Sequence, residues 1–272
     1  MYVPMDLAFE HYIHVKQDLN EAEYVKICEE MTNPRYVPVT ESEGYRLFTE
    51  NALQISDRVR IIWMHDVERP NDNFLARRMA EVEHRYGLRS SFNLRMACIW
   101  DENWRKDLDK ILEFGHEFQY QHEDLVITQG NQAEGIASFR KNMEILKSFY
   151  PKVTLAFGHG VYKSGFDSAA LFKINGEYSL ELMEQAGLPP YGELYSFMGQ
   201  LRKQFQDKFH YFGESTYIAG DEFVAALRST KPGDVVMFLQ HPTWWSSNYP
   251  VDELKYLMRE SPFFHKREAV FQ

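Results

Sequence analysis

The feature that most constrains the fold is a regular alternation of short apolar runs and amphipathic stretches that begins at Arg60. The apolar runs resemble β-strands in length and composition: Arg60–Met64, Ser90–Leu94, Glu117–Gln121, Thr154–Gly158, Glu193–Phe197, Phe209–Phe212 and Val235–Gln240. Between them, residues 72–86, 103–114, 132–149, 180–185, 221–228 and 251–259 carry apolar side chains at helical spacing. This alternation predicts a parallel sheet with crossover helices, which closes most economically as an α/β barrel.

Residues 1–57 precede this alternation, and we interpret them as an N-terminal extension packed on a barrel domain of residues 58–272. Within the extension, residues 20–31 are predicted to form a helix. Residues 33–44 contain two prolines and are predicted to form an extended loop.

Composition narrows the classes of partner. The formal net charge of −10 and the pI near 5.5 argue against nucleic acid or an anionic membrane surface. No signal peptide is recognised, and no window approaches the ~20 apolar residues of a membrane span. Cys28 and Cys98 lack CxxC spacing, so neither a disulfide framework nor a thiolate zinc site is expected. We expect a cytoplasmic protein with a polar small-molecule partner; its oligomeric state is not indicated.

The first predicted strand ends abruptly in charged side chains, in the sequence RIIWMHDVE of residues 60–68. Because burying acids in mid-strand is costly, this cluster is typical of an active site at the carboxyl end of a parallel strand. Side chains alternate along a strand, so Asp66 and Glu68 are predicted to share a face that His65 does not. One carboxylate could bind a metal while the other accepts a proton. The structural alternative is a salt bridge to Arg69 or a helix cap.

Three further polar clusters follow at GHEFQYQHED (115–124), TLAFGHG (154–160) and DVVMFLQHP (234–242). Gln121 and His122 end a predicted strand, where histidine and carboxylate would suit a zinc-type ion. His159 stands between two glycines, which indicates either a close backbone approach to a ligand or a simple turn. His241 follows the last predicted strand, where a catalytic imidazole or a structural histidine would be placed.

Two tryptophans lie in a polar setting, since Trp244 and Trp245 directly precede Ser246, Ser247 and Asn248. Sugars stack their C–H faces on such rings, although aromatic residues also fill cores. We therefore weigh sugar stacking against core packing for both rings.

Taken together, these motifs resemble the polysaccharide deacetylase (NodB-like, carbohydrate esterase family 4) superfamily. They are most similar to a divergent branch with HDVD and GHEIGYHYEDL motifs that is associated with surface-polysaccharide (O-antigen) biosynthesis. The resemblance spans about Arg60 to Trp245. It implies a (β/α)7-type irregular barrel with parallel strands and outer helices, and hydrolysis of N- or O-acetyl groups on sugars with a divalent metal.

The resemblance also implies roles for particular residues. Asp66 matches the general base, and His241 matches the histidine that protonates the leaving amine. Glu68 matches the metal-binding acid, and His159 matches the histidine of a Met-His-Gly motif. A metal would be held by Glu68 together with His122 or His159. Acidic residues of the branch's later strands align with Glu193 and Glu214. The expected substrate contacts are His65, Gln121, Glu193, Glu214, Trp244 and Trp245.

The sequence departs from the family at its metal motif, which has two histidines four residues apart. Gln121 stands at the first position and Leu125 at the second, while His122 is displaced by one residue. A one-residue shift reverses the face of a strand, so His122 replaces the missing ligand only if a bulge re-aims it. Two alternatives to a sugar deacetylase therefore stay open: an inactive sugar-binding protein of polysaccharide assembly, and a metal-free glycoside hydrolase that uses Asp66 with Glu193 or Glu214.

Overall fold

A computed structural model of the chain describes residues 19–159, 165–213 and 219–246. The described strands are β1 (Tyr36–Val39), β2 (Val59–Val67), β3 (Ser91–Leu94), β4 (Glu117–His122), β5 (Ala156–Gly158), β6 (Lys173–Ile174), β7 (Glu177–Tyr178), β8 (Phe209–Phe212) and β9 (Val235–Gln240). The described helices are α1 (Glu21–Met31), α2 (Glu41–Thr49), α3 (Asp72–Arg85), α4 (Glu102–Glu113), α5 (Asp124–Ile127), α6 (Gln132–Phe149), α7 (Leu180–Gln185), α8 (Leu194–Phe205) and α9 (Gly220–Ser229). Short 3₁₀ helices are formed by Met96–Ile99, Ser168–Phe172, Gln206–Lys208 and Pro242–Trp245.

The described strands of the main sheet are all parallel and follow the order β5-β4-β3-β2-β9-β8. β1 also pairs in parallel with the first half of β2, and β3 pairs with the second half. Because β9 pairs with the middle of β2, β1 and β3 must share the opposite edge. The sheet curls into a half-barrel surrounded by helices, so the predicted barrel-like α/β fold is confirmed at this level.

The two faces of the sheet pack into different cores. On β2, Ile62 and Met64 belong to the apolar cluster inside the curl, with α8 residues such as Phe197. The alternate residues Ile61 and Trp63 belong to a cluster outside it, with helices α1, α3 and α9. All nine residues of β2 are buried, which explains why its sequence reads as a continuous apolar run and not as an alternating one.

Most predicted elements from Arg60 onward are confirmed. The helices predicted over residues 132–149 and 180–185 match α6 and α7 at both ends, and the final strand matches β9. The helix predicted over residues 251–259 lies outside the described residues. In the part of the chain that the structure describes, no helix has the length and hydropathy needed to cross a membrane.

Two predictions are wrong. The run Glu193–Phe197 is not a strand: helix α8 begins at Leu194, and Glu193 caps it by accepting a hydrogen bond from the backbone N–H of Ser196. The supposed loop of residues 33–44 contains β1 and the start of α2. Pro38 is compatible with β1 because that strand lies at an edge, where the missing N–H breaks no ladder bond. Part of the N-terminal extension therefore belongs to the sheet.

Candidate active site

Polar side chains meet at the carboxyl ends of five neighbouring strands of the described sheet. Each is either the second-to-last residue of a strand or one of the first residues after it. They form one continuous set of contacts: Asp66 and Glu68 at β2, Asn93 and Arg95 at β3, Gln121 and Glu123 at β4, His159 after β5 and His241 after β9. Parallel strands bring these ends to one edge, which is where α/β folds place their active sites.

Asp66 is the most buried acid of this set, with 3 % of its surface exposed. Its Oδ1 accepts a hydrogen bond from Asn93 Nδ2 at 2.9 Å, and its Oδ2 accepts one from Gln121 Nε2 at 2.9 Å. Burial raises the pKa of Asp66 to about 7, although His241 and the Asn93 hydrogen bond partly offset that effect. A carboxyl group with this pKa can give up or accept a proton near neutral pH, as a general base must.

His241 is placed beside both carboxylates of β2. Its Nε2 lies 3.7 Å from Asp66 Oδ2 and 3.5 Å from Glu68 Oε1. Pro242 ends the strand and begins the 3₁₀ helix that follows, and the Trp244 ring lies 5.9 Å from the His241 ring, tilted by 33°. The sequence predicted that Asp66 and His241 lie close together. The imidazole is placed to exchange protons with the same bound molecule as Asp66.

His159 is held between two carboxylates. Its Nε2 lies 3.0 Å from Glu68 Oε1, and its Nδ1 lies 2.8 Å from Glu123 Oε1. Burial lowers the pKa of His159, but Glu68 and Glu123 outweigh it and raise the value to about 9. In turn, burial would raise the pKa of Glu68, but His159, His241 and Arg95 hold it well below the usual range. Near neutral pH this is an imidazolium between two ionised acids.

Arg95 extends the same ion-pair chain. Its Nε donates to Glu123 Oε2 at 2.9 Å, its Nη2 also pairs with that oxygen, and its Nη1 donates to the backbone carbonyl of Glu68 at 2.9 Å. The guanidinium therefore fixes Glu123 and ties the loop after β3 to the end of β2.

Two predicted site residues lie on the other face of the sheet. The His65 ring is fully buried 4.5 Å from the Phe92 ring, and its Nε2 lies 2.9 Å from Glu83 Oε1 of α3. The predicted substrate contact by His65 is therefore misplaced, because the alternation of β2 turns this side chain toward the outer helices.

His122 is displaced in the same way. It is fully buried, with its ring 5.2 Å from Phe139 and 5.4 Å from Phe172. Burial lowers its pKa to about 3, so the ring is neutral at physiological pH. β4 continues to His122 with regular pairing to β5, so no bulge re-aims the side chain toward Glu68, and the predicted metal role of His122 is wrong on position.

Of the remaining predicted substrate contacts, some lie at the site and others do not. Glu193 is fully buried and accepts hydrogen bonds from the backbone N–H groups of Ser196 and Gly158, so its carboxylate caps α8. Trp245 is 3 % exposed and packs edge-on against Tyr24 outside the curl. Gln121 and Trp244 contact the site, whereas Glu214 lies outside the described residues.

Sequence reasoning missed part of the site. Asn93 lies within the predicted strand Ser90–Leu94, and its side chain is on the same face as the site, but the uncharged amide did not mark it as a site residue. Glu123 was within the polar cluster but was given no role. Glu41 had no signal: it begins α2, is 2 % exposed, and its Oε1 accepts a hydrogen bond from the same Asn93 Nδ2, at 3.0 Å. Burial raises the pKa of Glu41 well above its usual value.

The site residues that the structure describes do not fit the divalent metal that the resemblance implies. Both ring nitrogens of His159 face carboxylate oxygens, Gln121 presents its amide nitrogen to Asp66, and His122 points away. Among the described residues, no group of three histidine, cysteine, aspartate or glutamate side chains is arranged to hold a metal ion.

No model of a known protein family matches this sequence, and no curated protein matches it significantly.

Proposed function

We propose that this protein is a hydrolase that removes an N- or O-acetyl group from a sugar, either in a polysaccharide or in its biosynthetic precursor. The proposal is carried by one observation: Asp66 and His241 lie side by side at the carboxyl edge of a parallel, curled sheet. The resemblance of the strand-end motifs to polysaccharide deacetylases supports it, and we propose the (β/α)7 barrel of that superfamily as the complete fold.

In this proposal Asp66 is the general base. Its carboxylate accepts a proton from a water molecule, whose oxygen attacks the acetyl carbon and forms a tetrahedral intermediate. The donors on either side of the carboxylate, Asn93 and Gln121, hold it in a single orientation. Because the pKa of Asp66 is about 7, the group is a stronger base than an ordinary aspartate at neutral pH.

His241 is the general acid. Collapse of the intermediate breaks the bond between the acetyl carbon and the sugar nitrogen or oxygen, and the protonated imidazole supplies the proton that the leaving group needs. Glu68, 3.5 Å from Nε2, stabilises positive charge on this ring before that transfer. These steps leave Asp66 protonated and His241 without its proton, and passage of that proton from Asp66 to the neighbouring His241 restores both groups. The products are acetic acid, which ionises to acetate, and the free amine or hydroxyl.

Trp244 is the proposed sugar contact. Its partly exposed ring lies beside His241, where a pyranose ring could stack with its acetyl group directed at the acid–base pair. The predicted sugar role is thereby kept for Trp244 and not for Trp245.

A second candidate is a sugar-binding protein without catalysis. It is favoured by the donor set around His159, which does not provide the metal site on which the deacetylases that the motifs resemble depend. Two measurements on the same sample separate the candidates: calorimetric binding of N-acetylated and O-acetylated sugars, and release of acetate from them. Release that is lost in His241→Gln supports the hydrolase, whereas binding without release supports the second candidate.

A further inference from the structure

We propose that the ion-pair chain Glu68–His159–Glu123–Arg95 takes the place of a divalent metal, so that this site keeps its geometry without a bound metal ion. The inference rests on the proposed function only for the identity of the site. It concerns side chains that the resemblance assigns to metal binding, and it follows from what those side chains contact.

The first step is the hydrogen-bonding state of His159. An imidazole binds a metal through the lone pair of one ring nitrogen. Here each ring nitrogen lies within 3.0 Å of a carboxylate oxygen, and a carboxylate can only accept. Both ring nitrogens are thus directed at carboxylate oxygens of the protein, and neither is directed at an open position that a metal could fill.

The second step is the commitment of the two acids. Glu123 uses Oε1 for His159 and Oε2 for Arg95. Glu68 directs Oε1 at both His159 and His241, at 3.0 and 3.5 Å. A metal would have to displace an imidazole from either acid, with the guanidinium already bound to one of them.

The third step is charge. One of the two carboxylates in the ion-pair chain, Glu123, is already paired with the guanidinium of Arg95. A divalent cation is normally held by an excess of negative or lone-pair ligands, and the fixed positive charge of Arg95 opposes its entry. The remaining predicted ligand, His122, is on the other face of β4 and cannot add to the set.

The ion-pair chain also explains how the site keeps its geometry without a metal. Arg95 joins the end of β3 to both β4 and β2, and His159 joins the end of β5 to the same two elements. Four strand ends are thus cross-linked by protein side chains, and Glu68 is held next to His241. A metal would otherwise supply that cross-link.

The first test is metal binding followed by thermal unfolding. The purified full chain is measured alone, with EDTA, and with zinc, nickel or manganese chloride, alongside the variant Glu68→Gln. A metal whose Kd is far below its added concentration would raise the midpoint of thermal unfolding by roughly 5 °C. We expect no rise in the midpoint of the wild type. A rise of equal size in Glu68→Gln would show that the metal binds outside this site. A rise that is present in the wild type and lost in Glu68→Gln would overturn the inference.

The second test observes His159 directly. Long-range ¹H–¹⁵N NMR reports the protonation of each ring nitrogen, and His159→Gln assigns the signal. We expect hydrogens on both nitrogens at pH 7, unchanged by zinc. A bare nitrogen, or a zinc-dependent shift of this signal alone, would contradict the inference. Neither test uses turnover. A metal-free but inactive protein would remove the proposed function and leave this inference standing. An active protein that binds a metal at Glu68 would remove this inference and leave the proposed function standing.

Discussion

The Nε2 atom of His241 lies 3.7 Å from Oδ2 of Asp66, and the register of the sheet produces this contact. β2 and β9 are neighbours in which His65 is opposite Gln240, so the residues that follow them, Asp66 and His241, lie at the same level. Both of these side chains point into the curl, because alternation directs His65 and Gln240 outward. The acid–base pair is therefore set by backbone pairing and not by flexible loops, which favours a preorganised site.

The pKa of Asp66 predicts a pH dependence of turnover. The general base must be ionised, and burial raises the pKa of this carboxyl group to about 7. We expect kcat for acetate release to rise about tenfold per pH unit below pH 7, as the ionised fraction of Asp66 increases. Steady-state rates between pH 5 and 8 measure this limb. A limb centred near pH 4, close to the pKa of an ordinary aspartate, would show that burial does not raise the pKa of Asp66.

Asn93 should influence that limb. Its Nδ2 donates to the ionised Asp66, and such a bond lowers the pKa of the acid. Asn93→Ala is expected to shift the limb upward by about one pH unit. Asn142→Ala is the matched control, because Asn142 donates at 2.8 Å to another buried acid, Asp124, which packs against α6. Equal shifts in the two variants would mean that the effect is not local to Asp66.

His159 predicts a pH dependence of stability. Its folded pKa of about 9 lies above the ordinary 6.5, so the folded state binds the proton more tightly than the unfolded state does. The resulting stabilisation is complete below pH 6.5 and is lost as the pH rises through about 9. We expect the free energy of unfolding to fall by on the order of 1–3 kcal/mol over this window, and less so in His159→Gln. Urea unfolding at several pH values measures the difference, and parallel curves would contradict it.

His65 is expected to affect stability and not substrate binding. It packs against Phe92 and contacts Glu83, which also accepts hydrogen bonds from Tyr24 and Ser90 at 2.5 Å each. His65→Ala should lower the free energy of unfolding by about 2–4 kcal/mol and leave KM unchanged. The comparison variant His241→Gln should lower kcat with little loss of stability. A changed KM in a stable His65→Ala protein would return His65 to the site.

The alternation of apolar runs was sufficient to predict the parallel sheet, because a strand buried on both faces leaves a continuous apolar signature, as in β2. The same pattern misled at residues 193–197. Leu194 and Phe197 both pack inside the curl, and a short apolar run does not reveal whether its period is two or 3.6. Glu193, taken for a strand residue, is instead the cap that begins α8.

The candidate site was predictable where charge marks a strand end, as at Asp66 and His241. It was not predictable where the partner is neutral or distant in sequence. Asn93 binds Asp66 through an amide, and Glu41 arrives from the N-terminal segment because β1 fills the edge of β2 that β3 leaves open. The clamp on His159 also depends on which strand ends are neighbours, and sequence spacing does not encode that arrangement.

The most direct measurement is acetate release by wild type, Asp66→Asn and Glu193→Gln on the same panel of acetylated sugars. Asp66→Asn should lower kcat at least ~100-fold. It should be as stable as wild type or more so above pH 7, because ionising an acid whose folded pKa of about 7 exceeds its ordinary 3.8 costs the folded state. Glu193→Gln, which alters a buried acid that caps α8 instead of contacting Asp66 or His241, should keep its turnover. Full activity in a folded Asp66→Asn protein would contradict the account.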